Sequence, residues 1–212
     1  MRGNQLKNPR KILVATMNAG KMRELAALLD FGEEVEFKGL GEFEGIEEVV
    51  EDGGSFAENA RKKAVGYSKQ TGLWTIADDS GLVVDALGGR PGVMSARFSG
   101  AKCEDRALLD HRNMAKVLRL MEGVAEEERR ARFKCCLCLA NGEEILAETE
   151  GTLEGVIAEE ERGRNGFGYD PIFYVPGLGK TAAELRPEEK NEISHRGQAI
   201  RRLRPLLAAL IG

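Results

Sequence analysis

The chain has 212 residues, 42% of them hydrophobic, and its 31 Lys and Arg stand against 35 Asp and Glu for a formal net charge of −4. That balance excludes a polybasic nucleic-acid binder and a disordered acidic tail. No apolar run approaches the roughly 20 residues that span a bilayer, and the opening MRGNQLKNPR lacks a signal-peptide apolar segment, so a cytoplasmic protein engaging neither membrane nor nucleic acid is expected. No repeat and no Pro/Ser-rich linker divides the chain, and residues 1–212 read as one domain.

Lys11 to Ala15 is an apolar run that predicts a strand, and Thr16-Met17-Asn18-Ala19-Gly20 leads from it into an amphipathic helix with Met22, Leu25, Leu28 and Leu29 on one face. A second strand near Val35 to Lys38 precedes an acidic, Gly-containing loop from Gly41 to Gly54. Ser55 and Glu58 form an S-x-x-E capping box, which starts a helix that Gly72 ends. Trp74 to Ala77 reads as a buried strand, interrupted at Asp78-Asp79-Ser80-Gly81 and extended again from Leu82 to Asp85. After the Arg90-Pro91-Gly92 turn, Glu104 to about Met121 has the helical period, with Leu108, Val117, Leu118 and Met121 inward. Arg132 to Ala140 and Glu144 to Glu150 alternate like strands across Asn141-Gly142, a strong hairpin signal. Leu153 to Ala158 and Pro171 to Val175 are further strands, and a last helix from about His195 carries Ile200, Leu203, Leu206, Leu207 and Leu210, with Pro205 expected to kink it. Helices and hairpins interleave, so the expected class is α/β with a mixed sheet.

Four cysteines raise the question of a metal or a disulfide, but Cys135, Cys136 and Cys138 sit in an alternating strand with no C-x-x-C pair and no nearby His. They read as reduced core thiols, Cys135 on one face and the other two on the opposite one. Gly179-Lys180-Thr181 imitates the end of a phosphate-binding P-loop, yet Tyr174 stands where its first glycine belongs, and no G-x-G-x-x-G follows the first strand.

The chemistry concentrates elsewhere. Two adjacent carboxylates, Asp78 and Asp79, at the end of an apolar run need a cation or donors, and hard oxygens there suit Mg²⁺, which takes one or two carboxylates plus substrate phosphates; a solvated turn is the plainer alternative. Thr16, Asn18 and Lys21 lie at a strand-to-helix junction, where unpaired N–H groups and the helix dipole favour an anion, although Asn18 could simply cap the helix. Ser194-His195-Arg196-Gly197 opens the last helix with two basic residues at the end that cations disfavour, and Lys190 precedes it; an anionic ligand would account for them. Phe167, between Gly166 and Gly168 and followed by Tyr169 and Asp170, offers a ring on which a flat ligand could stack while backbone groups reach its edge.

Together these segments resemble the Ham1/RdgB-type family of inosine and xanthosine triphosphate pyrophosphatases. The resemblance covers nearly the whole chain: Ala15 to Asn18 with Lys21, Glu51 to Ala64, Ala77 to Leu82, Pro91-Gly92 with Ser95-Ala96-Arg97, Phe167 to Pro171, and Ser194 to Gly197. Met17 and Phe98 depart from it, standing where a small or polar residue and a Tyr are usual. The resemblance implies an elongated sheet with flanking helices, two lobes around a nucleotide cleft, a homodimer, and Mg²⁺-dependent hydrolysis of ITP, dITP and XTP to monophosphate and pyrophosphate. By its motifs, Asp79 would activate water, with Glu51, Asp78 and Asp79 around the metal. Thr16, Asn18, Lys21, Lys63 and Ser80 would hold the triphosphate end; Phe167, Gly168, Tyr169 and Asp170 would frame the base; Lys190, His195 and Arg196 would contact base and phosphate. A Maf-like pyrophosphatase of modified nucleotides and a nucleotide-binding module without turnover are the competing readings.

Overall fold

The computed structural model describes residues 9–212 except 19, 20, 23, 24, 26, 27, 103 and 104. Seven strands form one mixed sheet in the order β2-β1-β3-β4-β5-β6-β7: β1 (Arg10–Val14), β2 (Val35–Gly39), β3 (Trp74–Val84), β4 (Arg130–Asn141), β5 (Glu144–Ile157), β6 (Phe173–Val175) and β7 (Lys180–Thr181). The first three pair in parallel and the rest antiparallel. The helices are α1 (Phe56–Thr71), α2 (Arg106–Leu120), α3 (Pro187–Ile193) and α4 (His195–Ile211). Lys21, Met22, Leu25 and Leu28 are helical as well.

Strand alternation sorts the core onto two faces. Ile12 and Val14 join Cys135, Leu137, Ile200, Leu203 and Leu207 beneath α4, whereas Leu13 and Ala15 join Ala60, Ala64, Tyr67, Ala77 and Cys138 beneath α1. Cys135 and Cys138 are thus buried on opposite faces, and burial pushes the Cys138 thiol up to about 12. A third cluster, including Val84, Met114, Val117, Phe133 and Phe173, fills the far end of the sheet under α2. Among the described residues, no helix is long and apolar enough to cross a membrane.

Several local expectations are corrected. Asp78 to Gly81 does not interrupt a strand. β3 runs unbroken through it because β4 supplies a ladder partner at every position, Asp78 opposite Leu137 and Asp79 opposite Cys136. Leu153 to Ile157 likewise continues β5, one strand of 14 residues that ends before Ala158, and Asp170–Ile172 is a 3₁₀ turn that delays β6 to Phe173. The Ser55 cap accepts from Glu58 N at 3.2 Å, but the Glu58 carboxylate reaches one residue further back, to Gly54 N at 2.7 Å. The expected start at Glu104 lies outside the described residues; Asp105 caps α2 through Ala107 N and Leu108 N. Leu108, expected inward, is 41% exposed in the first turn of α2. α4 remains helical through Pro205.

Candidate active site

Pairing between β1 and β3 ends at Val14 opposite Ile76, and the same β3 edge is next engaged by Ser95 Oγ, which accepts from Leu82 N at 2.9 Å, and by Pro91 opposite Val83. A cleft of about 800 Å³ opens over this gap, and every residue that the sequence singled out lines it, from Thr16 to Arg196. The closing wall can approach because residue 81 is glycine: a Cβ there would meet Ser95 Oγ at 2.2 Å and Gly92 O at 2.8 Å.

Because β3 is extended, its two carboxylates face opposite sides of the sheet. Asp78 turns toward α4 and is 2% exposed, with Lys21 Nζ at 2.8 Å, Arg196 Nε at 3.5 Å and Ser80 Oγ donating from 3.3 Å. Burial alone would raise its pKa, but Lys21, Arg196 and Lys63 together hold it well below the carboxylate range. Ser80, on the same face, accepts from Arg196 Nη2 at 2.9 Å. Asp79 turns toward α1, where Asn59 Nδ2 donates to its Oδ2 at 3.1 Å and Lys63 Nζ lies 3.6 Å from its Oδ1. Here burial outweighs the pull of Lys63 and the Asn59 hydrogen bond, so its pKa is raised. Lys63 also contacts Glu51 Oε2 at 2.9 Å, and burial of its ammonium is overcome by Asp78, Asp79 and Glu51, which raise its pKa.

Glu51 and Asp79 therefore share one cation, while Asp78 is spent on two others. Among the described residues, no three carboxylate, imidazole or thiol groups stand close enough together to hold a metal ion, so the expected trio of Glu51, Asp78 and Asp79 is not assembled, for the reason of strand alternation. Glu51 itself is held at its carbonyl by Arg97 Nη2, 3.0 Å away. At the neighbouring corner, Asn18 Oδ1 accepts from Lys21 N at 3.2 Å and Thr16 Oγ1 from Asn18 N at 3.1 Å, so Asn18 caps the helical residues as well as lining the cleft.

The opposite end is an aromatic shelf. Lys190 Nζ and the Arg196 guanidinium lie 4.8 and 5.6 Å from the Phe167 ring centre, and Asp170, 2% exposed, pairs with Lys190 at 2.6 Å. Asp170 also accepts from Phe167 N at 2.8 Å, and Asp110 Oδ2 accepts from Gly168 N at 3.0 Å. Both N–H groups are thus engaged by carboxylates, which pins the loop and turns the Phe167 ring to the cleft. Gly166 adopts φ +79°, and a Cβ there would sit 2.1 Å from Asp170 Oδ2. Tyr169 is buried, donating to Ser95 O at 2.7 Å, which ties the shelf to the closing wall. His195 stacks on Phe133 at 4.9 Å, and its buried Nδ1 has no hydrogen-bond partner in the structure. Burial, with Arg196, Lys190 and Lys21 nearby, holds it well below its ordinary pKa, so the ring is neutral.

Asn59 and Asp110 were not singled out from the sequence. Asn59 stands four residues before Lys63 on α1, a same-face spacing that could have found it; nothing in the pattern marks Asp110.

A family model described as the Ham1 family matches residues 12–206. The chain is 52% identical over 204 residues to the dITP/XTP pyrophosphatase of Geobacillus kaustophilus, covering 96% of this chain and 97% of that one. Against the dITP/XTP pyrophosphatase of Bacillus subtilis the identity is 46%, covering 94% and 98%. Among solved structures, a HAM1 protein from Coxiella burnetii superposes with a TM-score of 0.84 at 43% identity, covering 94% of this chain and 99% of that one. The Staphylococcus aureus Ham1 protein does so at 0.83 and 37%, covering 95% and 100%.

Proposed function

The chain belongs to the Ham1 family, and we propose that it hydrolyses non-canonical purine nucleoside triphosphates, ITP, dITP and XTP, to the nucleoside monophosphate and pyrophosphate, with residues 1–212 acting as one pyrophosphatase domain. The observation that carries this reading is the two-ended cleft: a buried carboxylate flanked by Asn59 and Lys63 at one end, and at the other an aromatic face beside two cationic side chains. Its charged end and its aromatic face match a triphosphate joined to a flat base.

The donor set fits a divalent cation, for which Mg²⁺ is our proposal. Glu51 and Asp79 present hard oxygens around a single ammonium, which is the place for positive charge, and Mg²⁺ needs only one or two carboxylates beside phosphate oxygens. When bound, the ion would neutralise phosphate charge and increase the electrophilicity of phosphorus. Asp79 accepts the proton of the water that attacks the α-phosphorus. Asn59 and Lys63 hold its carboxylate at the edge of the cleft for that task. Lys21 and Lys63 carry the charge of the departing pyrophosphate, and Thr16, Asn18 and Ser80 bind phosphate oxygens. Asp78 keeps Lys21 and Arg196 in place.

Phe167 stacks on the base. Arg196 and the neutral His195 supply N–H donors to the O6 acceptor shared by hypoxanthine and xanthine, and Lys190 and Asp170 hold the shelf. The 6-amino group of adenine would set donor against donor there and leave buried groups unpaired. A cytoplasmic homodimer completes the proposal, resting on the family resemblance; a solution mass near one chain would remove the dimer.

Pyrophosphate release with Mg²⁺ across ITP, dITP, XTP, dUTP and the canonical nucleotides tests this reading. Turnover confined to ITP, dITP and XTP is expected. Turnover of the pyrimidine instead would favour a Maf-like activity, and ITP binding without pyrophosphate release would make the protein a binding module.

A further inference from the structure

One buried polar side chain at the phosphate end has no part in the scheme above. Asn59 is 1% exposed on α1, and both ends of its amide are committed: Nδ2 donates to Asp79 Oδ2 at 3.1 Å, and Oδ1 accepts from Gly53 N at 2.8 Å. Turning the amide over would set its NH₂ against the Gly53 N–H and its oxygen against a carboxylate, so one orientation is imposed from both sides. The fit is close as well as polar. A Cβ at position 53 would stand 2.7 Å from Asn59 Oδ1 and 2.9 Å from Glu58 Cβ. The loop that Asn59 grips is the one carrying Glu51, whose carboxylate meets the same Lys63 ammonium that faces Asp79 Oδ1.

We propose that Asn59 is a positioning residue for the hydrolysis: it holds Asp79 by Oδ2, leaves Oδ1 on the Lys63 side, and couples that carboxylate to the 51–54 loop. The proposal rests on the reading of Asp79 as the group that activates water. A residue that merely braced the loop would need only the Gly53 bond; the second bond, to Asp79, is what a positioning role requires.

Asn59→Asp keeps the size and the acceptor for Gly53 N–H but removes the donor to Asp79. Measured beside Asp79→Asn, its kcat for ITP should fall about 10- to 100-fold, as expected for a misplaced reacting group. Its KM should stay within about threefold, because ground-state binding is untouched. In the metal-free protein, the Asn59 side-chain amide protons, assigned by their disappearance in Asn59→Asp, should exchange with solvent more slowly than those of exposed Asn141 and shift in Asp79→Ala. A folded Asn59→Asp variant with wild-type kcat, a rise in KM alone, or amide exchange as fast as that of Asn141 would overturn the positioning role while leaving Asp79 as the base. Activity retained in Asp79→Asn would overturn both.

Discussion

The two ends of the cleft solve burial of charge in different ways. At the phosphate end, Asp78, Asp79 and Glu51 are held by Lys21, Lys63 and Arg196, with Asp78 facing two of these cations and Lys63 facing both Glu51 and Asp79. At the base end, Asp170 Oδ2 takes both Lys190 and the Phe167 N–H, and Asp110 takes Arg106 through Oδ1 and the Gly168 N–H through Oδ2. The first arrangement can exchange partners when a highly charged ligand arrives. The second is a frame pinned to backbone N–H groups, with the face of Phe167 turned to the cleft beside Lys190 and Arg196. Carboxylates at the phosphate end are shared among cationic side chains, whereas those at the base end are also tied to the backbone of their own shelf.

Substitutions can break or sharpen this contrast. The largest effect belongs to Asp79→Asn, which should lower kcat about 10²- to 10⁴-fold, the range for losing a general base, while the protein still binds ITP; equal losses of turnover and binding would place Asp79 in the frame instead. Lys190→Met strands a carboxylate that is 2% exposed, and should cost about 3 kcal/mol of stability in denaturant titrations. Lys21→Met should cost less stability, because Arg196 still faces Asp78, yet more turnover. If both lysines proved equally structural, the contrast between the ends would fail. Phe167→Ala should raise KM for ITP about tenfold, the loss expected for one stacking contact of about 1.4 kcal/mol, with kcat little changed. Asp110→Ala should have the smallest effect, a KM rise of about fivefold, as for one hydrogen bond of about 1 kcal/mol holding the shelf. A fall in kcat with unchanged KM would show that Asp110 reaches the chemistry.

Much of the site was legible because its chemistry is carried by residue types that stand out locally. Adjacent carboxylates after an apolar run, a cap with basic residues at a helix start, and an aromatic between glycines each announce themselves within a few positions. The helix spans and the long hairpin were legible for the same reason, since periodicity, caps and turn glycines act over short distances. What was not legible depends on distant partners. Asp78 to Gly81 reads as a break because two charges and a glycine are poor strand formers, and only the ladder to β4 makes it continuous. Asn59 reads as an ordinary helix residue until Asp79, 20 positions on, is set against it. The engagement of Gly168 N by Asp110 spans 58 positions and leaves no local trace.

By itself, the sequence marked many of the polar residues that line the cleft, because they fall in compact motifs whose spacing a helix or strand converts directly into a shared face. Tertiary structure decided how those residues divide their work. The alternation of one unbroken strand sends Asp78 to Lys21 and Arg196 and Asp79 to Asn59 and Lys63; burial pushes both pKa values up, and the cations overcome it at Asp78 but not at Asp79. Adjacent in the chain and alike in chemistry, the two aspartates differ only in which side of a sheet they face.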